Sequence, residues 1–170
     1  MMITFGDRKR GGAMAIPKPE NLSDRIDALV KDFPNHEYGR TLKAELVRLG
    51  HGEATIRCKV GGHLTITHAI VPRGEDVPKR LAQGGVEFSL ANYAAVFAAM
   101  TLFPSGHTAL RKCLNGEWPR PVFEGDVLQA IATVDVFDGE HIAVSIVVFA
   151  NDQNKSVGNF VLSYHKPHGL

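Results

Sequence analysis

The sequence predicts an α+β domain in which one antiparallel sheet wraps around one long buried helix, and three observations carry that reading. The first is the run from Gly85 to Phe103, where Ala, Leu, Met and Phe predominate and neither Gly nor Pro interrupts after the first residue. Its apolar residues occupy nearly every angle of a helical wheel, and a helix that is hydrophobic all round must be covered all round. The second is the strict alternation of apolar and polar residues on both sides of that run, the mark of half-buried antiparallel strands. The third is the order of the patterns: a helix, two or three strands, the long helix, then four meandering strands, with no internal repeat and no low-complexity segment. In a chain of 170 residues the element able to surround the central helix is a curved sheet.

In chain order, Leu22, Ile26, Leu29, Val30 and Phe33 follow helical spacing, with Ser23 placed as N-cap and Pro34 closing the segment. Leu42, Ala44 and Leu46 then alternate with Thr41, Lys43 and Glu45. After Gly50-His51-Gly52, the residues Ala54, Ile56, Cys58 and Val60 alternate with Glu53, Thr55, Arg57 and Lys59, so the two segments read as a hairpin. A less regular strand runs from His63 to Val71 and ends in a loop, Pro72 to Asp76. The long helix, of about five turns, carries few polar residues: Glu87, Ser89, Asn92, Tyr93 and Thr101. Beyond Pro104-Ser105-Gly106 come a strand over His107 to Leu114, another over Asp126 to Phe137, the tight-turn pair Asp138-Gly139, and strands over His141 to Ala150 and Ser156 to His165.

Length suits a single domain, read as residues 21–170 behind a flexible leader of residues 1–20 in which Met14 is an alternative start. The 19 Lys and Arg nearly cancel the 18 Asp and Glu, which excludes a protein held to nucleic acid or anionic lipid by net charge. Cys58 and Cys113 are too few for a disulfide scaffold and read as reduced thiols, in keeping with a cytoplasmic protein. The basic N-terminus is followed by no apolar core of a secretory signal. The longest apolar stretch, Phe88 to Phe103, falls short of the ~20 residues that span a bilayer.

The sequence holds no nucleophile elbow, phosphate loop or dinucleotide fingerprint. It holds no His-Glu-x-x-His and no Cys-x-x-Cys, and no metal or cofactor is expected. His63 and His68 lie five apart on an expected strand and point to opposite faces. The informative segment is Gln83 to Tyr93. Gly84 and Gly85 immediately precede the buried helix, where free N–H groups and the positive end of the helix dipole could polarise a carbonyl and stabilise an oxyanion. Equally, the two glycines could serve only to let the chain enter a crowded sheet. Asn92, two turns in on an apolar helix, needs a hydrogen-bond partner, since an unpaired buried amide costs ~1–3 kcal/mol.

The segments AQGGVEFSLANYAAVFAA and LNGEWPRPVFEGDVLQAIATVDVFDGEHIAVSIVVF resemble, in order and spacing, hotdog-fold thioesterases, most nearly acyl-CoA thioesterases of the phenylacetate-degradation type. The resemblance covers roughly Arg40 to His165, and its most specific parts are the Gly-Gly opening the helix and Trp118-Pro119-Arg120-Pro121. It implies a hotdog fold, a homodimer or dimer of dimers with sites formed between subunits, and hydrolysis of an acyl-CoA to a free acid and CoA. Carried over residue by residue, Gly84 and Gly85 match the family's pair, Gln83 stands at its usual His, and Asn92 stands at its usual carboxylate. The resemblance makes Gly85, whose N–H would hold the thioester carbonyl, and Asn92 the catalytic candidates, with Gln83, Gly84 and Ser89 beside the substrate. From the residues themselves, Glu87 is added as the nearest carboxylate, and Arg120, Arg111 and Lys112 could meet CoA phosphates or serve only as solubilising charges.

The departures from the family pattern, Gln83 for the His, Asn92 for the carboxylate and a longer Gly62 to Ala82 segment, bear on the chemistry. An amide cannot take a proton from water at neutral pH, so Asn92 could orient a water or the carbonyl but not act as base. Glu87, the nearest carboxylate, stands roughly 140° from Asn92 around the helix and could act from an opened first turn or from a partner subunit; otherwise it reads as a solvated, dipole-compensating Glu. The rival readings are a non-catalytic acyl-CoA or lipid binder with the same fold and, less well matched, a hydratase.

Overall fold

Alternation of apolar and polar residues becomes register in the folded chain. The computed structural model describes residue 16 and residues 20–73, 76–103, 110–151 and 155–165, the stretches 67–79 and 110–114 by their backbone alone. The elements are α1 (Leu22–Asp32), α2 (Glu37–Leu42), β1 (Glu45–Gly50), β2 (Glu53–Lys59), β3 (Thr65–Arg73), β4 (Asp76–Ala82), α3 (Gly85–Met100), β5 (Leu110–Glu117), β6 (Val127–Phe137), β7 (His141–Ala150) and β8 (Ser156–His165). Six strands form one antiparallel sheet in the order β1-β2-β6-β7-β8-β5, and β3 pairs with β4 in a separate ribbon.

The rows of the sheet that face the helix can be followed strand by strand. Ala54 lies opposite Ala132, Ala132 opposite Ile146, Ile146 opposite Phe160, and Phe160 opposite Gly116. All of these but Gly116 are buried, as are the alternate positions beside them on β2, β6, β7 and β8. Buried alanines at 91, 94, 95, 98 and 99 let α3 lie close on this surface.

Coverage of α3 departs from the expectation that a sheet alone would enclose it. The sheet covers one side. A second side is covered by α1, α2 and the 3-10 turn Phe33–Asn35 between them, where the Phe33 ring sits 5.3 Å from Tyr93 and 5.1 Å from Phe97, centroid to centroid. The remaining side, a stripe of Gly85, Phe88, Ser89, Asn92, Val96 and Met100 at helical spacing, is exposed at its first residue and half-buried along the rest.

Several boundaries also differ from the sequence reading. Thr41 and Leu42 end α2 rather than start a strand, because Lys43 takes a left-handed conformation (φ 51°) that caps the helix through its N–H to the Arg40 carbonyl at 3.0 Å. Asn21, not Ser23, holds the N-cap position of α1, with no side-chain cap bond; burial of Leu22, Arg25 and Leu29 holds that helix instead. Of the segment Pro72 to Asp76, read as a loop, Pro72 and Arg73 belong to β3, Asp76 starts β4, and residues 74–75 lie outside the described residues. β4 was not anticipated because Pro78 and its charges argue against a central strand. An isolated two-stranded ribbon tolerates that proline. His63 lies in the 3-10 turn Gly62–Leu64, not on a strand. The long helix ends at Met100, three residues early. Residues 1–15 and 17–19 of the expected leader lie outside the described residues, whereas Ile16 is half-buried against the core. No helix among the described residues is long and apolar enough to cross a membrane.

Thr101 explains the end of α3. Its buried hydroxyl donates to the Ala98 carbonyl at 2.7 Å and accepts the Gly52 N–H at 2.8 Å, tying the helix end to the β1–β2 turn, where Gly52 has φ +70°. Thr101→Val removes that acceptor and strands a buried N–H, so it is expected to cost about 1–3 kcal/mol in urea unfolding, with Thr101→Ser retaining most of the stability.

Candidate active site

Two braces fix the approach to α3. The Gln83 N–H donates to the Leu64 carbonyl at 2.9 Å, and the Ala82 N–H donates to the Val122 carbonyl at 2.8 Å. The chain therefore enters the helix between the 3-10 turn Gly62–Leu64 and the loop that follows Trp118. The Gln83 carbonyl accepts the Val86 N–H at 2.9 Å, which starts the helix with Gly84 in the N-cap position.

Neither glycine is demanded by crowding. A Cβ on Gly84 or Gly85 would meet nothing within 4 Å among the described residues, and neither residue has a positive φ. The alternative in which the pair merely threads a crowded sheet therefore finds no support here: both residues are exposed and open. The helix N-terminus consequently presents backbone N–H groups and the positive end of its dipole to an accessible corner.

Ser89 and Asn92 lie on the half-open stripe of α3, one and two turns beyond that corner. The Asn92 Oδ1 accepts a hydrogen bond from the hydroxyl of Tyr164 at 3.2 Å, so the partner this amide needs comes from β8 of the same chain. Tyr164 is fully buried and stands on the inward face of its strand, where alternation placed it; the pairing with Asn92 was not legible, because it depends on where α3 crosses β8.

Glu87 is not solvated. It is 3 % exposed, its Cβ stands over Gly158 of β8, and its Oε2 has no hydrogen-bond partner among the described residues. Burial pushes its carboxyl up to about 7, with its own backbone N–H pulling weakly the other way. Cys58 on β2 feels that carboxyl: burial first, and then the Glu87 charge, push its thiol up to about 12. Glu87 thus faces the sheet, on the opposite side of the helix from the Ser89–Asn92 stripe.

Arg120 is half-buried. Its Nε donates to the Ser156 carbonyl at 3.0 Å and its Nη2 to the Lys155 carbonyl, which pins the Trp118–Pro121 segment to the start of β8. Trp118, 48 % exposed, meets the Phe160 ring edge-on at 5.2 Å, and Phe160 meets Phe88 of α3 at 5.9 Å. This aromatic chain links the segment to the open stripe. The side chains of Arg111 and Lys112 lie outside the described residues.

No protein-family model and no curated protein sequence matches the chain. Solved structures do. The E. coli PaaI protein from the phenylacetic acid degradation operon superposes with a TM-score of 0.70 at 22% identity, over 87% of this chain and 94% of its own. A mutant of the phenylacetic acid degradation protein PaaI from Thermus thermophilus gives 0.65 at 20% identity, over 78% and 100%. A hypothetical thioesterase with coenzyme A from Streptococcus pneumoniae gives 0.65 at 13% identity, over 81% and 96%. With its long helix laid on a six-stranded antiparallel sheet in this strand order, the chain has the hotdog fold.

Proposed function

We propose that this protein hydrolyses the thioester of an acyl-CoA, releasing a free acid and CoA, at the N-terminal end of α3. The observation that carries the reading is the open corner at Gly84 and Gly85, where glycine is required neither by backbone conformation nor by neighbouring atoms. What glycine supplies there is unobstructed access to the backbone. In this reading the Gly85 N–H, reinforced by the helix dipole, receives the thioester carbonyl and the oxyanion it becomes. Gln83, Gly84, Ser89 and Arg120 hold the substrate, and the Asn92 amide orients the attacking water. Water adds to the carbonyl carbon, the C–S bond breaks, and the CoA thiolate leaves and takes up a proton. The likeness to a thioesterase solved with coenzyme A supports CoA as the carrier.

The half-open stripe of α3 supports a homodimer, or a dimer of dimers, in which Gln83 to Gly85 of one protomer face the stripe of its partner. Acyl-CoA chemistry places the reaction in the cytoplasm. Glu87, the nearest carboxylate in sequence to the corner, is the proposed proton acceptor; while the first turn of α3 is closed, burial holds its carboxyl at about 7. Because it stands on the sheet side of the helix, it acts only when the first turn of α3 opens.

The test is free-thiol release from a panel of short, long and aromatic acyl-CoAs. Turnover by the wild type, lost in Gly85→Pro, supports the oxyanion assignment; proline is tolerated at the first helical position, so unchanged turnover in that variant overturns it. Turnover surviving in Glu87→Gln removes Glu87 from the chemistry. A second reading, a non-catalytic acyl-CoA binder, is favoured by the amide at Asn92 and by the engagement of its oxygen with Tyr164. Tight binding without turnover in the wild type, with turnover gained in Asn92→Asp, decides for it.

A further inference from the structure

On the flank of the central helix that α1 and α2 cover, a cavity of 610 Å³ lies between α1, α2 and the edge strand β1. That volume falls within the ~300–1,000 Å³ of small-molecule sites. Its body is apolar: Val30 of α1, Phe33 and Pro34 of the following turn, and Leu46 of β1. Its charged rim is unbalanced. Glu45 is already held by Arg57, whose Nη2 lies 2.6 Å from its Oε2. Arg40 and Lys43 are exposed at the same rim; the Arg40 Nη2 donates a long 3.5 Å hydrogen bond to the Asn35 carbonyl, and neither residue forms an ion pair with a described residue.

A second polar group lies behind the same wall. Tyr93 is 5 % exposed and its hydroxyl has no hydrogen-bond partner among the described residues. That hydroxyl packs directly against Gly39, which lines the cavity and could carry no Cβ without colliding with it. The hydroxyl stands behind Gly39 and does not line the cavity, so the recognising groups of this corner are its two unneutralised cations, Arg40 and Lys43. A carboxylate head is what such a corner recognises, because charge-assisted hydrogen bonds are about twice as strong as neutral ones. An apolar tail is what the rest of the cavity recognises.

We infer that the α1–α2–β1 cavity binds a medium-chain aliphatic monocarboxylate, its head at Arg40 and Lys43 and its tail against Phe33, Pro34 and Leu46. The inference does not rest on thioester hydrolysis, and the site shares no residue with the corner at Gly85.

Titration of the ¹⁵N-labelled full chain with decanoate, alongside decanol, tests it. Saturable shifts of the Gly39, Lys43 and Leu46 amides are expected, with decanol weaker than decanoate. The double variant Arg40→Glu, Lys43→Glu is expected to bind decanoate about tenfold or more less tightly. Shifts confined to Gly85, Ser89 and Asn92 would place the acid at the proposed thioester site instead and overturn the inference without touching that reading. Equal binding of decanol, or of decanoate by the charge-reversed variant, also overturns it and leaves the cavity as a seat for an uncharged segment or a second copy, which concentration-dependent size reveals.

Discussion

Glu87→Met is expected to gain about 3 kcal/mol on the wild type between about pH 4 and about pH 8, because the roughly 2.5-unit rise in the carboxyl's pKa is worth ~1.4 kcal/mol per unit. The sign follows from proton counting. With its pKa raised from 4.5 to about 7, the folded protein holds a proton that the unfolded chain has released. The stabilisation this gives is fully present below pH 4.5 and is lost as the pH rises through about 7. Above that, the native state either carries an ionised carboxylate among apolar neighbours or unfolds more readily. Cys58, the titratable neighbour on β2, releases its proton only near 12 and leaves this window undisturbed. Methionine matches the glutamate in shape and removes the charge. Urea unfolding at the two pH values measures the effect, and parallel pH profiles for wild type and variant would show that the carboxyl finds a partner or water. A variant that is more stable above neutrality yet loses acyl-CoA turnover would mark Glu87 as a residue kept for chemistry at the expense of stability.

Phe160→Ala is expected to destabilise the fold by about 3–5 kcal/mol, the usual cost of emptying an aromatic site in a close-packed core. Phe160 is 2 % exposed, and its ring fills the space above two glycines. A Cβ on Gly158 would come within 2.6 Å of that ring, and one on Gly116, directly across the β5–β8 ladder, would collide with it too. Gly158→Ala is therefore expected to cost about 1–3 kcal/mol by overpacking. In the Phe160→Ala background the added methyl enters the vacated space, so the double variant should lose less than the sum of the two. A thermodynamic cycle from urea unfolding measures that coupling, and strict additivity would mean the ring moves aside without strain. Because Phe160 also joins Trp118 to Phe88, the same variant should loosen the wall of the open stripe.

Much of the architecture was legible before folding. The central helix announced itself by apolar residues at every angle, and β2, β6, β7 and β8 by a period of two that survives as burial on their inward faces. The glycine pair at the start of the helix was legible as a candidate, but whether it threads a crowded sheet or faces an open corner was decided only by the structure, where a Cβ on either residue would meet nothing within 4 Å among the described residues. The failures have separate local causes. Leu42 has the phase of a strand residue and belongs to a helix, since one left-handed residue, Lys43, decides where the helix stops. β4 was hidden by Pro78, which an isolated ribbon accommodates and a central strand would not.

The sequence by itself determined that one long helix must be buried, that an alternating sheet must cover much of it, and that two glycines open that helix. Periodicity and residue size decide those things, and both are local. Only the tertiary structure decided which side of the helix each polar residue meets. It set Asn92 against Tyr164 on the half-open stripe, turned Glu87 toward the sheet and raised its pKa, and placed α1 and α2 over a cavity that no motif marks. These outcomes depend on the register between distant segments, and side chains far apart in the chain acquire their chemistry only from the neighbours that register supplies.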